Sequence, residues 1–187
     1  MKKLNHIALL TAALLPTYAN AADFSYNYAQ ASYIFSSDLD VTDGDGFSFG
    51  GSFELNKDVA LIASYESISY DGFFIFPGFD IDVLALGATY HMPIESKVDA
   101  VFSGGLLDGD SGSNDDTGNF LSAGIRLQAN PQIEFGAALK RFDLFDDSDI
   151  GIDLSALYSI DKKNQIGVSF SDIQDVENLT FSFRVNF

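Results

Sequence analysis

The sequence contains no cysteine and no tryptophan, and its 187 residues include only 10 lysine and arginine residues against 27 aspartate and glutamate residues. Without cysteine, neither a disulfide framework nor a thiolate site is possible. The formal net charge of −17 argues against nucleic-acid binding, which needs basic patches to neutralise phosphates. After the amino-terminal segment, no stretch approaches the roughly 20 apolar residues of a transmembrane helix. Any membrane span must therefore consist of strands.

The amino terminus has the pattern of a secretory signal peptide. Lys2 and Lys3 precede a short apolar run at 7–15, and Ala19 and Ala21 supply a small-x-small cleavage site. The apolar run is too short to span a bilayer as a helix. We therefore predict a signal peptide at 1–21 and a single exported domain at 22–187.

The last nine residues alternate strictly between apolar and polar side chains, which predicts a strand with one apolar face. The apolar positions are Leu179, Phe181, Phe183, Val185 and Phe187. Nine further segments read as strands, at 24–35, 46–55, 59–70, 81–92, 98–107, 121–128, 133–140, 152–158 and 165–170. The first has an ambiguous phase, because Tyr26 and Tyr28 differ in parity from Tyr33 and Phe35.

The links between these segments alternate in length. Short links fall at 56–58, 93–97, 130–131 and 161–163, and longer links at 36–45, 71–80, 108–118, 143–149 and 172–177. The longer links hold 17 acidic residues and no lysine or arginine, whereas the short links hold four lysines. Outer-membrane barrels show this asymmetry, with tight periplasmic turns and longer external loops. The predicted fold is all-β, a closed antiparallel up-and-down transmembrane β-barrel of ten strands, with eight as the alternative.

The carboxyl-terminal strand resembles the last strand of bacterial outer-membrane β-barrels, whose final Phe belongs to the signal that the barrel-assembly machinery reads. The opening residues 22–28, followed by Tyr33, are similar to the first strand of small proteobacterial barrels of the OmpA/OmpX-like type. The resemblance implies an outer-membrane location, with lipid and lipopolysaccharide as surroundings and with periplasmic chaperones and the assembly machinery as partners in biogenesis. It makes Phe183, Val185 and Phe187 the assembly signal. We expect a monomer without a cofactor.

Eight ionisable side chains are predicted to face the lumen. They are Glu54, Glu66, Asp99, Arg126, Glu134, Lys140, Asp153 and Arg184. Hairpin geometry places Arg126 opposite or diagonal to Glu134, and Lys140 near Asp153. Such pairs are read either as a satisfied polar core, since unpaired burial is costly, or as the gate of a narrow channel.

The acidic links raise the possibility of a calcium site, although no defined metal site is predicted. The segment at 38–49 fails as an EF-hand because its sixth position is Asp43 and its twelfth is Phe49. Solvated loops are one interpretation, and weak binding of divalent cations that bridge lipopolysaccharide phosphates is the other. The residues concerned are Asp38, Asp40, Asp43, Asp45, Asp108, Asp110, Asp115 and Asp116.

An enzyme is not predicted. The mature chain has one histidine, His91, which the sequence places beside the Pro93 turn as a residue of the periplasmic rim or girdle, far from external acids that a catalytic base would need. The leading function is a structural, adhesive or surface-interaction role through acidic external loops. The alternatives are a narrow, cation-preferring diffusion channel and a soluble periplasmic ligand binder of the lipocalin type, which would need its bulky residues inside.

Overall fold

The computed structural model describes residues 24–38, 43–71, 78–112, 114–145, 147–173 and 176–187. The predicted signal peptide lies outside these residues. The strands are β1 (Tyr28–Asp38), β2 (Asp43–Asn56), β3 (Val59–Tyr70), β4 (Phe79–Glu95), β5 (Val98–Asp110), β6 (Asp115–Asn130), β7 (Ile133–Leu144), β8 (Asp147–Ser159), β9 (Asn164–Ile173) and β10 (Val176–Asn186). No helix among the described residues is long and apolar enough to cross a membrane.

The ten strands form one closed antiparallel barrel in which each strand pairs with its neighbours in sequence. Closure is made by β1 and β10, whose register runs from Tyr28 opposite Asn186 to Asp38 opposite Val176. Closing the sheet gives every strand two partners and leaves no open edge. The prediction of ten strands is confirmed, and the alternative of eight is wrong.

The two faces of the wall differ as the alternation predicts. On β10, Leu179, Phe181 and Phe183 are each more than 40% exposed on the outer face. From Leu179 to Phe187 the strand rises about 26 Å at about 3.3 Å per residue. A strand tilt of about 35–45° reduces this to about 20 Å along the barrel axis, close to the usual apolar band of such barrels. The bulky residues therefore lie outside, the reverse of what the lipocalin-type alternative requires.

The strands are longer, and the external links shorter, than the sequence pattern predicts. One end of the barrel carries the links 39–42, 71–78, 111–114, 145–146 and 174–175. We call it the external end, after its predicted orientation, and the other end the periplasmic end. The prediction that Asp43, Asp45, Asp108, Asp110, Asp115 and Asp116 lie in loops is therefore wrong, because all six lie on strands. Aspartate has a low strand propensity, but Asp45, Asp108 and Asp110 pair with neighbouring strands on both sides. Asp43, Asp115 and Asp116 pair on one side, and the ladder therefore extends past the apolar band. Likewise, β1 begins at Tyr28 rather than at residue 24.

Three of the four turns at the opposite end are held by the same kind of hydrogen bond, from backbone N–H groups to an Asn or Asp side-chain oxygen. Asn56 Oδ1 accepts hydrogen bonds from the backbone N–H groups of Asp58 (3.0 Å) and Val59 (3.1 Å). Asn130 Oδ1 accepts equivalent bonds from Gln132 and Ile133. Asp161 Oδ1 binds the N–H groups of Lys163 and Asn164, both at 2.8 Å. Side chains of this kind imitate a backbone turn. They keep the connections at the periplasmic end tight and fix where each strand reverses.

Candidate functional site in the lumen

The amino-terminal segment lies inside the barrel and narrows the lumen at its periplasmic end. Tyr26 is only 4% exposed, and its ring stacks on that of His91 with centroids 3.5 Å apart. The Tyr26 hydroxyl donates a hydrogen bond of 3.0 Å to Asp99 Oδ2, and His91 Nδ1 lies 3.8 Å from the same oxygen. His91 therefore points into the barrel. An outward position in the girdle is wrong, because its position on β4 has the parity of the inner face. Its predicted place near a turn at this end is consistent with the hydrogen bond of 2.8 Å that its backbone N–H donates to the carbonyl of Asp58.

Arg126 and Glu134 form the ion pair at this constriction. Two guanidinium nitrogens, Nε and Nη2, donate to the two carboxylate oxygens at 2.6 and 3.0 Å, and both side chains are only 14% exposed. The guanidinium also donates to the carbonyl of Ser25 at 3.3 Å and lies over the rings of Phe24 and Tyr26. Arg126 thus attaches the amino-terminal segment to the wall. The pair is diagonal, because Arg126 is opposite Gly136 in the ladder.

Glu54 holds the same segment from the other side of the lumen. Its carboxylate accepts a hydrogen bond of 2.9 Å from the Asn27 side-chain amide, and its backbone N–H donates to Asn27 Oδ1 at 2.8 Å. Together, Glu54, Asp99, Arg126 and Glu134 account for four of the eight ionisable residues predicted for the lumen. All four surround residues 24–27. The constriction is therefore polar and has a partner for each charged group.

The external end is narrowed by apolar side chains instead. Ile34, Ile68 and Tyr70 form a buried cluster, with exposures of 2%, 4% and 8%, and Ile81 packs against it. The Tyr70 hydroxyl shares a hydrogen bond of 3.0 Å with Ser36 Oγ. Leu107 and Leu144 are also buried on strands at this end. The sequence pattern does not reveal this cluster, because isolated apolar residues on a polar face look like weak alternation.

A cavity of about 450 Å³ occupies the lumen next to the periplasmic constriction, and Tyr26, Arg126 and Glu134 are part of its lining. Serine dominates the rest of the wall, at positions Ser48, Ser52, Ser64, Ser103, Ser122, Ser155, Ser169 and Ser182. The remaining charged residues of the lining are Lys140, Asp153 and Arg184. Glu66, the last of the eight predicted residues, has the inner-face parity of β3 but is outside this lining.

The charged groups of the cavity are held in different ways. Lys140 Nζ donates to Asp153 Oδ2 at 2.7 Å, again diagonally, because Lys140 is opposite Gly151. Arg184 Nε donates to Gln30 Oε1 at 2.9 Å, and its guanidinium carbon lies 3.9 Å above the centre of the Tyr28 ring. The sequence pattern does not predict the contribution of Tyr28 and Gln30 to this site. The one signal in the sequence is that Tyr26 and Tyr28 have the opposite parity to Tyr33 and Phe35, which indicates inward side chains at the start of the chain.

The remaining predicted residues lie on the outer face or at the external end. Phe183, Val185 and Phe187 are exposed on the lipid-facing side at the end of the chain; their role as an assembly signal stays a prediction. Asp40 lies outside the described residues, and only the backbone of Asp38 is described. Asp45 accepts a hydrogen bond from the Tyr33 hydroxyl, and Asp110 from the backbone of Gly112.

The acidic residues of the external end do not converge on a metal site in the described ranges. No group of three or more His, Asp or Glu side chains there is arranged to hold a metal ion. Weak cation binding by these acids therefore stays a prediction. An outward ion pair that the sequence pattern does not predict, Arg141 Nη2 to Asp143 Oδ2 at 2.8 Å, places one cation among them.

Comparison with known proteins bears on the fold. No protein-family model matches the sequence, and no curated protein matches it either. Among solved structures, the chain is similar to the KdgM porin, with 13% identity, a TM-score of 0.54, and coverage of 84% of this chain and 99% of the porin. The chain has the fold of an outer-membrane β-barrel.

Two further structures share that fold. The COG4313 outer-membrane channel from Pseudomonas putida F1 is 10% identical, with a TM-score of 0.51 and coverage of 92% of this chain and 100% of the channel. The NanC porin is 8% identical, with a TM-score of 0.51 and coverage of 85% of this chain and 98% of that porin. At such identities the likeness is one of architecture. The role of this outer-membrane barrel has to be argued from its own residues.

Proposed function

We propose that this outer-membrane barrel has a constricted lumen and acts at the cell surface through its acidic external end, in a structural or adhesive role. The observation that carries the proposal is the pair of constrictions inside the barrel. Tyr26, His91 and Asp99 are buried at one end, and Ile34 and Ile68 at the other. An open diffusion pore would leave such inward side chains exposed to water.

The external end supplies the interaction surface. On β2, β5, β9 and β10 the outward position next to the apolar residues, towards the external end, is an acid. These acids are Asp45, Asp108, Asp172 and Glu177. Where the wall leaves the hydrocarbon, it therefore presents carboxylates to the lipopolysaccharide region and beyond. Carboxylates there favour cationic partners, or divalent cations shared with lipopolysaccharide phosphates. In this proposal the protein is a monomer, and the barrel-assembly machinery is its partner in biogenesis.

Conductance of residues 22–187, refolded and inserted into planar bilayers, tests the closed lumen. We expect no discrete openings from the unmodified barrel. The variant Y26A/I34A/I68A truncates inward side chains of both constrictions and should produce openings. The control Y33A/L61A truncates two side chains on the outer face and should produce none. Heat-modifiable mobility on gels verifies that each variant has folded. Regular openings of the unmodified barrel would overturn the proposal.

Adhesion of whole cells tests the surface role. Cells that display a variant with external carboxylates neutralised, D45N/D108N/D110N, should adhere less to an amine-coated surface than cells with the unmodified barrel. The matched control is D58N/D161N, which neutralises two acids of the turns at the other end. If both variants adhere as well as the unmodified barrel, the external acids are not the contact surface.

A narrow channel is the second candidate, and the cavity of about 450 Å³ favours it. The acidic external end predicts a preference for cations. However, the cavity is lined by three cationic side chains, Arg126, Lys140 and Arg184, against the two carboxylates of Glu134 and Asp153. A reversal potential measured across a salt gradient on the opened variant would show which ion the lumen prefers.

A further inference from the structure

We propose that the lumen cavity binds a small organic anion that carries hydroxyl groups, and that Arg184 is the residue that receives its carboxylate. This inference goes beyond the proposed surface role and concerns the inner wall of the barrel, which a ligand reaches only past one of the two constrictions. It begins with the charges that line the cavity. Two of its three cations are matched by carboxylates, and the third is not.

The unmatched cation is Arg184. Arg126 forms two hydrogen bonds with Glu134, and Lys140 binds Asp153. Over the part of the chain that the structure describes, no carboxylate lies within 4 Å of the Arg184 guanidinium. Arginine stays protonated in proteins, and a charge removed from bulk water needs compensation. A ligand anion would supply it.

The Arg184 guanidinium is oriented for such a ligand. Its Nε is occupied by Gln30 Oε1, and the amide of Gln30 is itself fixed, because its Nε2 donates to Ser32 Oγ at 3.2 Å. The Tyr28 ring supports the plane of the guanidinium from one side. The Nη nitrogens have no hydrogen-bond partner among the described residues. Planar guanidinium nitrogens match the geometry of a carboxylate.

The rest of the lining accounts for the hydroxyl groups. Ser182 lies two residues before Arg184 on the same face of β10, and Ser169 and Ser155 follow on the neighbouring strands. A serine hydroxyl can donate one hydrogen bond and accept others, so it suits the alcohol groups of a polyol acid. The volume of about 450 Å³ lies in the range of small-molecule sites, roughly 300–1,000 Å³.

NMR titration of the refolded mature barrel in detergent micelles provides the test. The chain has only three arginines, Arg126, Arg141 and Arg184, so their side-chain Nε–Hε signals can be assigned by substitution. D-gluconate is the probe, and sorbitol is the uncharged match of the same carbon number. We expect the Arg184 signal to shift and saturate with gluconate, and the Arg141 signal on the outer face to stay in place.

Two variants complete the test. R184Q should weaken gluconate binding by about tenfold or more, which corresponds to about 1.4 kcal/mol, whereas R141Q should bind as the unmodified barrel does. For R184Q, binding is followed by equilibrium dialysis of labelled gluconate, because the reporting signal is lost. Equal shifts with gluconate and sorbitol, no shift of Arg184, or unchanged binding by folded R184Q would each overturn the proposal.

Discussion

The rings of Tyr26 and His91 stack in parallel, with planes inclined by only 11°, and this contact lies at the centre of the periplasmic constriction. His91 Nε2 is buried and has no hydrogen-bond partner among the described residues. A buried polar atom without a partner is unfavourable. The histidine therefore contributes to the constriction mainly through the shape of its ring.

Replacing His91 by phenylalanine tests this interpretation. H91F keeps a ring against Tyr26 and removes the unsatisfied nitrogen, so we expect stability to be unchanged or to rise by about 1 kcal/mol. H91A removes the ring and should destabilise the barrel by about 2–4 kcal/mol. Urea unfolding of the refolded barrel in phospholipid vesicles measures both. A loss in H91F as large as that in H91A would show that the polar atoms of His91 matter.

The pairing of Arg126 with Glu134 gives a second prediction. E134A leaves the buried guanidinium without its carboxylate, and breaking a buried ion pair in this way costs about 3–5 kcal/mol. The double variant R126A/E134A should lose clearly less than the sum of R126A and E134A, because the second substitution removes the stranded charge. The same urea unfolding measures the coupling. Strictly additive losses would contradict a direct interaction.

The sequence predicts the barrel well because the apolar period is long and regular. The alternation on β10, β6 and β7 fixes both the strands and their outer faces, and chain order fixes the neighbours in a meander. The proximity of Arg126 to Glu134 and of Lys140 to Asp153 also follows from hairpin geometry, whereas the register of the structure shows that both pairs are diagonal. These features depend on residues close together in sequence, where the register of one turn decides the outcome.

What the sequence could not predict depends on residues far apart in the chain. Tyr26 meets Asp99 across 73 residues, and Arg184 meets Gln30 across 154. Such contacts arise only once β1 and β10 close the barrel. Strand ends were also missed, because a run such as Asp108 to Asp110 looks like a loop by propensity. Only pairing with β4 and β6 makes it a strand.

Adjacent positions on the last strand allow a matched test of the two faces. Phe183 is exposed on the outer side, whereas Ser182 lines the cavity. F183D places a carboxylate against hydrocarbon and should reduce stability by about 1–2 kcal/mol, less than the larger cost of a lysine or arginine there. S182D places the same group near Arg184 and should be tolerated. Folding yields in vesicles, read from heat-modifiable mobility, compare the two. Equal yields would contradict the assigned faces.

A close approach between β4 and β5 supports the last prediction. Gly87 and Gly105 are directly opposite in the ladder, and Phe120 on β6 is opposite Gly105. A Cβ atom on Gly105 would overlap the carbonyl oxygen of Leu86 and would lie 2.7 Å from the Phe120 ring. The first of these neighbours is backbone and cannot move aside without disturbing the ladder. G105A should therefore destabilise the barrel by about 1–3 kcal/mol.

The neighbouring Gly104 supplies the control for this glycine. Its Cβ would meet only the end of the Leu121 side chain at 2.9 Å and a carbonyl oxygen at 3.4 Å, and a leucine end can rotate away. G104A should therefore cost much less than G105A in urea unfolding, although both remove one glycine from the same strand. If the two variants were equally stable, the loss would reflect glycine content rather than the contact of Gly105 with β4 and Phe120.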